Sequence, residues 1–581
     1  MTTVNRLIQG LFFLALGSML ALAGCGDTGS SGGGPAVSTV ITTAQQQILP
    51  VAIAPNTPGI TPSQVALYAT YGYSAWQYGP GLPLVKRYDL APDYDGAANA
   101  ARLMYYFSSS DNHITDKESP AEALYFGWSA AFQVGGLFSQ AYSPVCLSTT
   151  QVLDAAVQTI NALNRQQPFD FGIFLGDAAN SSQLNELKWF INVLDGNWVV
   201  PSSGAHLGAD LIDYQRPYQA AGLDPSIPWY QAIGNHDQYW MGTHFPSPKI
   251  RAAEAGTAIL NMGTNVFAPN ATESTGMYVG VVDGTTQYGN VIYGGPTANF
   301  VPPYPTVVAD PERVSMTDTT SSTTTFIEQF FNTTSFPPGH GFDRSHTGSL
   351  AACYSFIPRS DIPLKVIVLD DTCKTNISGQ SPNFYGNGWM DEERLEWLTQ
   401  ELQAGQDANQ LMIIAAHIPV NPQTDIFNNT PTPYFYPDPS NITDAQFVAL
   451  LQQYPNLLMF MAGHRHKNVV TPQISPDPAH PEYGFWEVET SSTRDFPQQF
   501  RLFDIRRNAD NTISILTTDV DPAETPGSVA AKSRGYAVGA MRLFGEIDLG
   551  DTTSHSYNAE LIKQLTPQMQ AVIANCGTPL R

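Results

Sequence analysis

Basic residues are scarce in this sequence: 581 residues carry 27 Lys and Arg against 51 Asp and Glu, a net charge of −24. A nucleic-acid backbone is held by a positive footprint, so no nucleic acid is expected as partner, and repulsion disfavours any long polyanionic substrate. Long hydrophobic runs are scarce as well, and beyond residue 22 none approaches the roughly 18 apolar residues of a spanning helix. Cysteine is rare, with 5 in all, and none stands in the polar motifs that dominate the sequence. Four of them, Cys146, Cys353, Cys373 and Cys576, follow residue 25, an even number that permits two disulfides. Cys353 and Cys373 bracket an expected hairpin, Cys353 to Pro358 against Leu364 to Asp370, and form the first candidate pair, leaving Cys146 and Cys576 as the remainder.

Against these shortages stand five short polar motifs. In order they are Ser110-Asp111-Asn112-His113, Gly176-Asp177, Gly234-Asn235-His236-Asp237, Ala416-His417-Ile418-Pro419 and Gly463-His464-Arg465-His466. Each follows a short apolar run of the kind that forms a buried strand, which places every candidate ligand on a loop at a strand end. Two divalent ions about 3.5–4 Å apart need carboxylate and imidazole ligands with one carboxylate shared, and the motifs supply that set. Nitrogen and oxygen donors without thiolate suit manganese, iron or zinc. Alone, Asp111 or Asp177 reads as a turn former or helix cap and His417 as an ordinary strand-end histidine. With 47 Gly and 11 His, however, Gly-His-x-His is expected by chance only ~0.017 times, and the joint occurrence of the five blocks overrides the blander readings.

The order Asp-x-His, Gly-Asp, Gly-Asn-His-Asp, His, Gly-His-x-His resembles the calcineurin-like metallophosphoesterase superfamily. The resemblance implies a four-layer α/β/β/α sandwich with mixed sheets. It implies that Asp111, His113, Asp177 and His466 hold one metal ion, that Asp177, Asn235, His417 and His464 hold the other, and that Asp177 bridges them. His236 would face the phosphate and protonate the leaving oxygen, with Asp237 orienting its ring; an imidazole is the natural general acid near neutral pH. The nucleophile would be a hydroxide held between the metals. Asn180 and His113 stand where purple acid phosphatases of the same superfamily carry Tyr and Gly, which favours the broader phosphohydrolase group. Arg465 and Arg494 are candidates for bidentate contact with phosphate. The expected activity is hydrolysis of small phosphomonoesters or phosphodiesters; the competing readings are a non-catalytic cell-surface binding protein on the same scaffold, or a nuclease.

At the amino terminus, Arg6 precedes an apolar stretch from Leu11 to Leu22, followed by Leu22-Ala23-Gly24-Cys25. This reads as a signal peptide over residues 1–24. The run ending in Cys25 resembles a bacterial lipobox, which implies cleavage before Cys25 and a lipid on its thiol. The expected location is then extracytoplasmic, membrane-anchored through Cys25 (at the outer membrane in a Gram-negative host) or secreted. Residues 25–60 read as a flexible tether and N-terminal extension, Gly/Ser-rich over Gly26 to Gly34.

With 43% hydrophobic residues the chain can bury a large core, and because the motifs interleave from about residue 100 to 466, residues 61–581 read as one metallophosphoesterase domain. Strands are expected at 102–108, 170–175, 229–233, 411–415, 457–461, 485–489 and 500–505. Helices are expected from a capping box at Ser148 and Gln151, over 183–194, along Leu395, Leu398 and Leu402 up to Gly405, and from a cap at Thr443 and Gln446. The tail 554–576 reads as a helix broken at Pro567. Two insertions, about 195–228 and 238–350, exceed what the motifs need, and Tyr239, Trp240 and His244 are candidate walls of a substrate pocket. The remaining histidines, His206, His340, His346, His480 and His555, read as loop or surface residues.

Overall fold

Short apolar strands, several of them buried on both faces, build the centre of the molecule as two mixed sheets laid face to face. The computed structural model describes residues 40–60, 64–122, 143–258, 307–317, 324–374, 385–420, 441–544 and 557–580, with short pieces between 262 and 293 and strands at 423–424 and 431–432. Residues 1–24 and Cys25 lie outside the described residues. Among those described, no helix is long and apolar enough to cross a membrane.

In chain order the principal elements are β1 (Val85–Leu90), β2 (Asn99–Ser109), α1 (Thr149–Gln166), β3 (Phe171–Phe174), α2 (Leu184–Leu194), β4 (Trp229–Gln231), β5 (Tyr354–Phe356), β6 (Leu364–Val368), α3 (Glu392–Asp407), β7 (Leu411–Ala415), α4 (Asp444–Leu451), β8 (Leu457–Ala462), β9 (Val469–Gln473), β10 (Phe485–Glu489), β11 (Phe500–Asn508), β12 (Ile513–Val520), α5 (Val529–Phe544), β13 (Ala559–Lys563) and α6 (Pro567–Ile573). The first sheet runs β1-β13-β12-β11-β2-β3-β4 and the second β5-β6-β7-β8-β10-β9. Strands β2, β3 and β4 are mutually parallel, as are β6, β7, β8 and β10.

The period of two along each strand decides which sheet face each side chain serves. Tyr106 and Phe171 turn towards the second sheet: Tyr106 stacks between Phe171 and Phe503, and its hydroxyl meets Met461 at 3.3 Å. Tyr230 likewise stacks on Phe356 across the sheets, with ring centroids 3.6 Å apart. Phe174 and Trp229 turn the other way, onto Phe190 of α2, and α1 joins that layer through Leu153, Val157 and Ile160. On the far side, Leu398 and Leu402 of α3 and Phe447 and Leu451 of α4 cover Ile367, Met412, Ile414 and Phe460 of the second sheet. The order is therefore helix, sheet, sheet, helix. The parallel strands of both sheets end at one edge, and a bridge between Ser110 and Ser492 joins them there. In open parallel sheets, ligands bind outside the carboxyl ends of the strands.

Several local expectations are corrected. The capping box at Ser148 and Gln151 does not form, because the Ser148 side chain makes no cap hydrogen bond, whereas the one at Thr443 and Gln446 is complete. Helix α3 runs past Gly405 to Asp407; that glycine is needed for packing, since a Cβ there would lie 2.4 Å from the Met412 sulfur. The tail is not a broken helix. Its residues 559–563 are a strand between β12 and β1, and Pro567 begins α6, where its missing N–H costs nothing. Within the stretch read as tether and extension, Gln46–Pro50 pairs with Trp76–Pro80. The expected hairpin is present as β5 against β6, but no disulfide joins Cys353 to Cys373 or Cys146 to Cys576. Cys353 Sγ accepts from the main chain of Asp370, while Cys373 packs beyond the strand end against Tyr239, Tyr385 and Trp389.

Candidate metal centre

Each candidate ligand stands within a few residues of a strand end: Asp111 after β2, Asp177 after β3, Asn235 after β4, His417 after β7 and His464 after β8. Asp111, His113, Asp177, His464 and His466 all adopt positive φ, between 43° and 70°. Such left-handed non-glycine residues cost roughly 1–3 kcal/mol each and persist only where the surroundings determine them. Here the first two loops are laced together, His113 N donating to Asp177 O and Asp111 N to Gly176 O at 2.9 and 3.1 Å. Gly463 belongs to the same arrangement, since a Cβ on it would lie 1.8 Å from the Ser110 hydroxyl.

The side chains converge in two overlapping groups. In the first, His466 Nε2 lies 3.3 Å from Asp111 Oδ1 and 3.0 Å from His113 Nε2, and His113 Nε2 lies 3.6 Å from Asp177 Oδ2. In the second, His417 Nε2 lies 3.1 Å from Asp177 Oδ2 and 2.9 Å from Asn235 Oδ1, with His464 Nδ1 3.1 Å from the same amide oxygen. Asp177 belongs to both. Each aspartate spends one oxygen on a main-chain N–H of another loop, Asp111 Oδ2 on His464 and Asp177 Oδ1 on His236, which leaves the other oxygen turned inward. Asn235 is oriented in the same way, its amide nitrogen donating to Gly242 O at 2.9 Å so that its oxygen faces the histidines.

Burial and neighbouring charge set the protonation. Burial opposes ionisation of Asp111 and Asp177, but the imidazoles around them, His466 for Asp111 and His417 for Asp177, hold both carboxyls below their usual range. Burial likewise opposes the charged form of His417 and His466, yet Asp177 beside the one and Asp495 and Asp111 beside the other raise each to about 10. His464 and His236 are pushed down to about 3, by burial first, and His113 is lowered for the same reason.

These residues fit metal binding. Asp111 Oδ1 is buried and makes no well-aligned hydrogen bond, its neighbours being His466 Nε2 at 3.3 Å and His113 Nε2 at 3.7 Å, an oxygen ringed by imidazole nitrogens that a coordinated cation would satisfy. Three groups bring ligand atoms within 4.8 Å of one another: Asp111, His113 and His466; Asp177, His417 and His464; and His113, Asp177 and His236. The donors are all nitrogen and oxygen, which suits borderline or hard ions.

Other expected roles change. Asp237 does not orient His236. Its carboxylate accepts the main-chain N–H groups of Asp177, Ala179 and Gly234, all at 2.9 Å, and so fixes the loops; the His236 ring instead meets the main-chain oxygen of Asn180 through Nδ1. Arg465 is paired with Glu489. Arg494 is 1% exposed, and its guanidinium is hydrogen-bonded to Asn180 Oδ1 and to Cys146 Sγ. Tyr239 and Trp240 are not pocket walls, for both are buried with hydroxyl and indole N–H committed to Cys373 O and Ala121 O. His244 is buried against Thr243. His340 is also buried, stacked on Trp229 at 3.5 Å. His555 lies outside the described residues.

One residue of the site was not anticipated. Asp495 Oδ1 holds His466 Nδ1 at 2.8 Å, the arrangement by which a carboxylate fixes the ring of a metal-ligating histidine. The available signal was a carboxylate beside Arg494, just beyond β10.

The turn at 239–244 closes over the centre. Gly242 has φ +66°, and a Cβ on it would lie 2.2 Å from His236 Cδ2 and 2.4 Å from the Asn235 amide nitrogen. Gly242→Ala is therefore expected to displace both side chains and to lower kcat by up to ~10²-fold, the scale that an ångström of misplacement costs. Steady-state kinetics beside an unchanged far-ultraviolet circular dichroism spectrum would check this.

No protein-family model matches the chain, and no curated protein matches it. Among solved structures, the crystal structure of a dimetal phosphatase from Danio rerio aligns over 73% of this chain and 98% of that one, at a TM-score of 0.32 and 11% identity. So slight a likeness leaves the assignment to the side chains themselves.

Proposed function

We propose that this protein is a metal-dependent phosphohydrolase that cleaves small phosphomonoesters or phosphodiesters at a dinuclear centre. The observation that carries this reading is the convergence of Asp111, His113, Asp177 and His466 with Asn235, His417 and His464 around the shared carboxylate of Asp177. The first four would hold one ion and Asp177 with the last three the other, with manganese, iron or zinc as the expected metals. Two such ions, when bound, would lower the pKa of coordinated water towards neutrality and neutralise charge on the phosphoryl oxygens.

The chain's own side chains supply the rest. Asp495 holds the ring of His466, and Asp111 and Asp177 fix the loops of His464 and His236 by accepting their main-chain N–H groups. His236 is partly open to solvent and edge-on to His113, 4.5 Å between ring centroids, which places it to hand a proton to a leaving oxygen. Burial keeps this ring neutral at rest, and the negative charge of an arriving phosphate is what would favour its protonated form. The strongly acidic chain fits a small ester drawn in by the ions rather than a polyanion. A lipid on Cys25 would place this body outside the cytoplasm, at a membrane surface.

Hydrolysis of p-nitrophenyl phosphate and bis-p-nitrophenyl phosphate by protein stripped of metal, then reloaded with manganese, iron or zinc, tests the function. Turnover should vanish on stripping and return on reloading, and the preferred ester should distinguish mono- from diesterase. Metal should also raise the melting temperature, since a ligand at a hundred times its Kd adds about 2.7 kcal/mol of stability. Two bound ions without turnover of any phosphoester would favour the binding-protein reading.

A further inference from the structure

The described body begins at Val40, and the residues that follow pin its start to one edge of the first sheet. Thr43 N and Oγ1 donate to Asp519 O of β12 at 3.1 and 2.6 Å, and Leu82 N donates to Thr43 O at 2.9 Å. Asn558, just before β13, accepts from Thr43 Oγ1 and donates to Leu82 O.

The same edge carries the metal centre. Across the sheet, Val85 at the start of β1 pairs with Ala559, Ala559 with Thr517, Thr517 with Phe503 and Phe503 with Tyr106. The first of these pairings is parallel and the other three are antiparallel, so β1 begins at the edge where β2 ends and the Asp111 loop follows. With β13, β12 and β11 between them, β1 and β2 stand about 19 Å apart. Trp76 links the two regions: it packs on the cluster of Val145, Phe496 and Val538, and Phe496 adjoins Asp495, the partner of His466.

This surface is apolar. Ile41, Tyr78 and Val85 are 47%, 54% and 48% exposed, and the run from Tyr78 to Val85 contains no charged side chain. The bases that follow are paired, Lys86 with Glu560 at 3.3 Å and Arg87 with Asp89 at 3.0 Å. Apolar and tyrosine side chains without surplus charge suit the interface of a neutral bilayer, whereas a chain of net charge −24 is repelled by an anionic one. Chain length argues for the same occupant. Residues 26–39 join Cys25 to Val40, and a Gly/Ser-rich link of that length has a root-mean-square span of roughly 20 Å. That is shorter than the ~24 Å radius of gyration expected for a body of this length, so a lipid on Cys25 would hold the Val40 edge towards the membrane.

We propose that this edge rests on the surface of a neutral lipid bilayer through Ile41, Tyr78 and Val85, and so turns the metal centre towards phosphoesters carried by lipids. The placement rests on the lipid reading of Cys25, and the ester on the phosphohydrolase reading. Hydrolysis would add water across the phosphorus–oxygen bond, hydroxyl to phosphorus and proton to the departing oxygen.

The test is photo-cross-linking of the full-length, manganese-loaded protein, purified with its lipid and placed in phosphatidylcholine vesicles that contain a head-group-labelled photoactivatable phosphatidylcholine. Cross-linked peptides should centre on Ile41 and on Tyr78 to Val85. In the double variant Tyr78→Asp, Val85→Asp, those cross-links and the hydrolysis of vesicle-borne phosphatidic acid or phosphatidylethanolamine should each fall at least ~10-fold, because the tethered contact is what raises the local concentration of lipid ester. Turnover of p-nitrophenyl phosphate should not change. Should the double variant fail to fold, Tyr78→Asp alone carries the same expectation. Absence of lipid on Cys25, or cross-links confined to other faces, overturns the placement. Cross-links at this face between two copies of the chain assign it to a dimer and overturn it as well. The expected cross-links without hydrolysis of either lipid, beside turnover of p-nitrophenyl phosphate, overturn the lipid ester. Absence of turnover of every ester sinks the phosphohydrolase reading and leaves the docking surface standing.

Discussion

Asp177→Asn protein is expected to fold normally and to bind neither ion tightly. Asparagine tolerates the left-handed conformation that Asp177 adopts at φ 53°, and its side-chain oxygen can keep the hydrogen bond from His236 N. What changes is the position of Oδ2, 3.1 Å from His417 Nε2 and 3.6 Å from His113 Nε2. An amide group there removes the one negative charge common to both ligand sets and turns hydrogens towards the ions. Metal affinity should fall by more than the ~10–100-fold that loss of an outer supporting residue costs. Turnover should fall by more than the ~10²–10³-fold associated with one preorganised electrostatic contact. Metal content after gel filtration, measured beside the melting temperature of the stripped protein, checks this. A folded Asp177→Asn protein that keeps both ions and its activity would remove Asp177 from the shared position.

His236→Ala should separate chemistry from assembly. The ring contributes no atom to the two sets built on Asp111 and on Asn235, so both ions should remain, while turnover falls ~10²–10⁴-fold, the usual worth of a positioned proton donor. The loss should depend on the leaving group. Alkyl phosphates, whose departing oxygen needs a proton, should suffer far more than p-nitrophenyl phosphate, whose leaving anion is already stable. Equal losses on both would indicate that His236 acts on the phosphoryl group or on a metal instead. Either result is read from kcat across a series of esters at fixed metal occupancy.

Much of this site is legible before folding because its parts are short and chemically distinctive. Gly463-His464-Arg465-His466 follows six apolar residues, and β8 is indeed buried along its whole length; the same holds for Leu411 to Ala415 before His417. Hydrophobic strands followed at once by metal-type side chains leave little freedom in where those side chains stand. The failures arise where several residues compete for one partner. Asp237 sits beside His236 in sequence, but its carboxylate is claimed by N–H groups from three positions that only the folded sheet brings together. Asp495 reaches His466 across 29 residues of chain, a separation that adjacency cannot reveal. The strand at 559–563 is not legible locally because its partners, β12 and β1, lie elsewhere in the chain, and Pro567 reads as a break although proline equally well starts a helix. In the insertions, His340 looked like a surface residue because nothing nearby in sequence shows the Trp229 face on which it stacks.

Exposure is distributed unevenly around the centre. Asp111, His113, Asp177, Asn235 and His417 are buried, whereas His236, His464 and His466 are partly open. Among the described residues, the ions and ester of the proposed reaction would thus share one doorway, guarded by three imidazoles. A bound ester or its phosphate product would sit across the path by which ions leave. Inorganic phosphate, though a competitor for turnover, should therefore slow the stripping of metal by chelators, so that product left in the doorway would hold the ions in place.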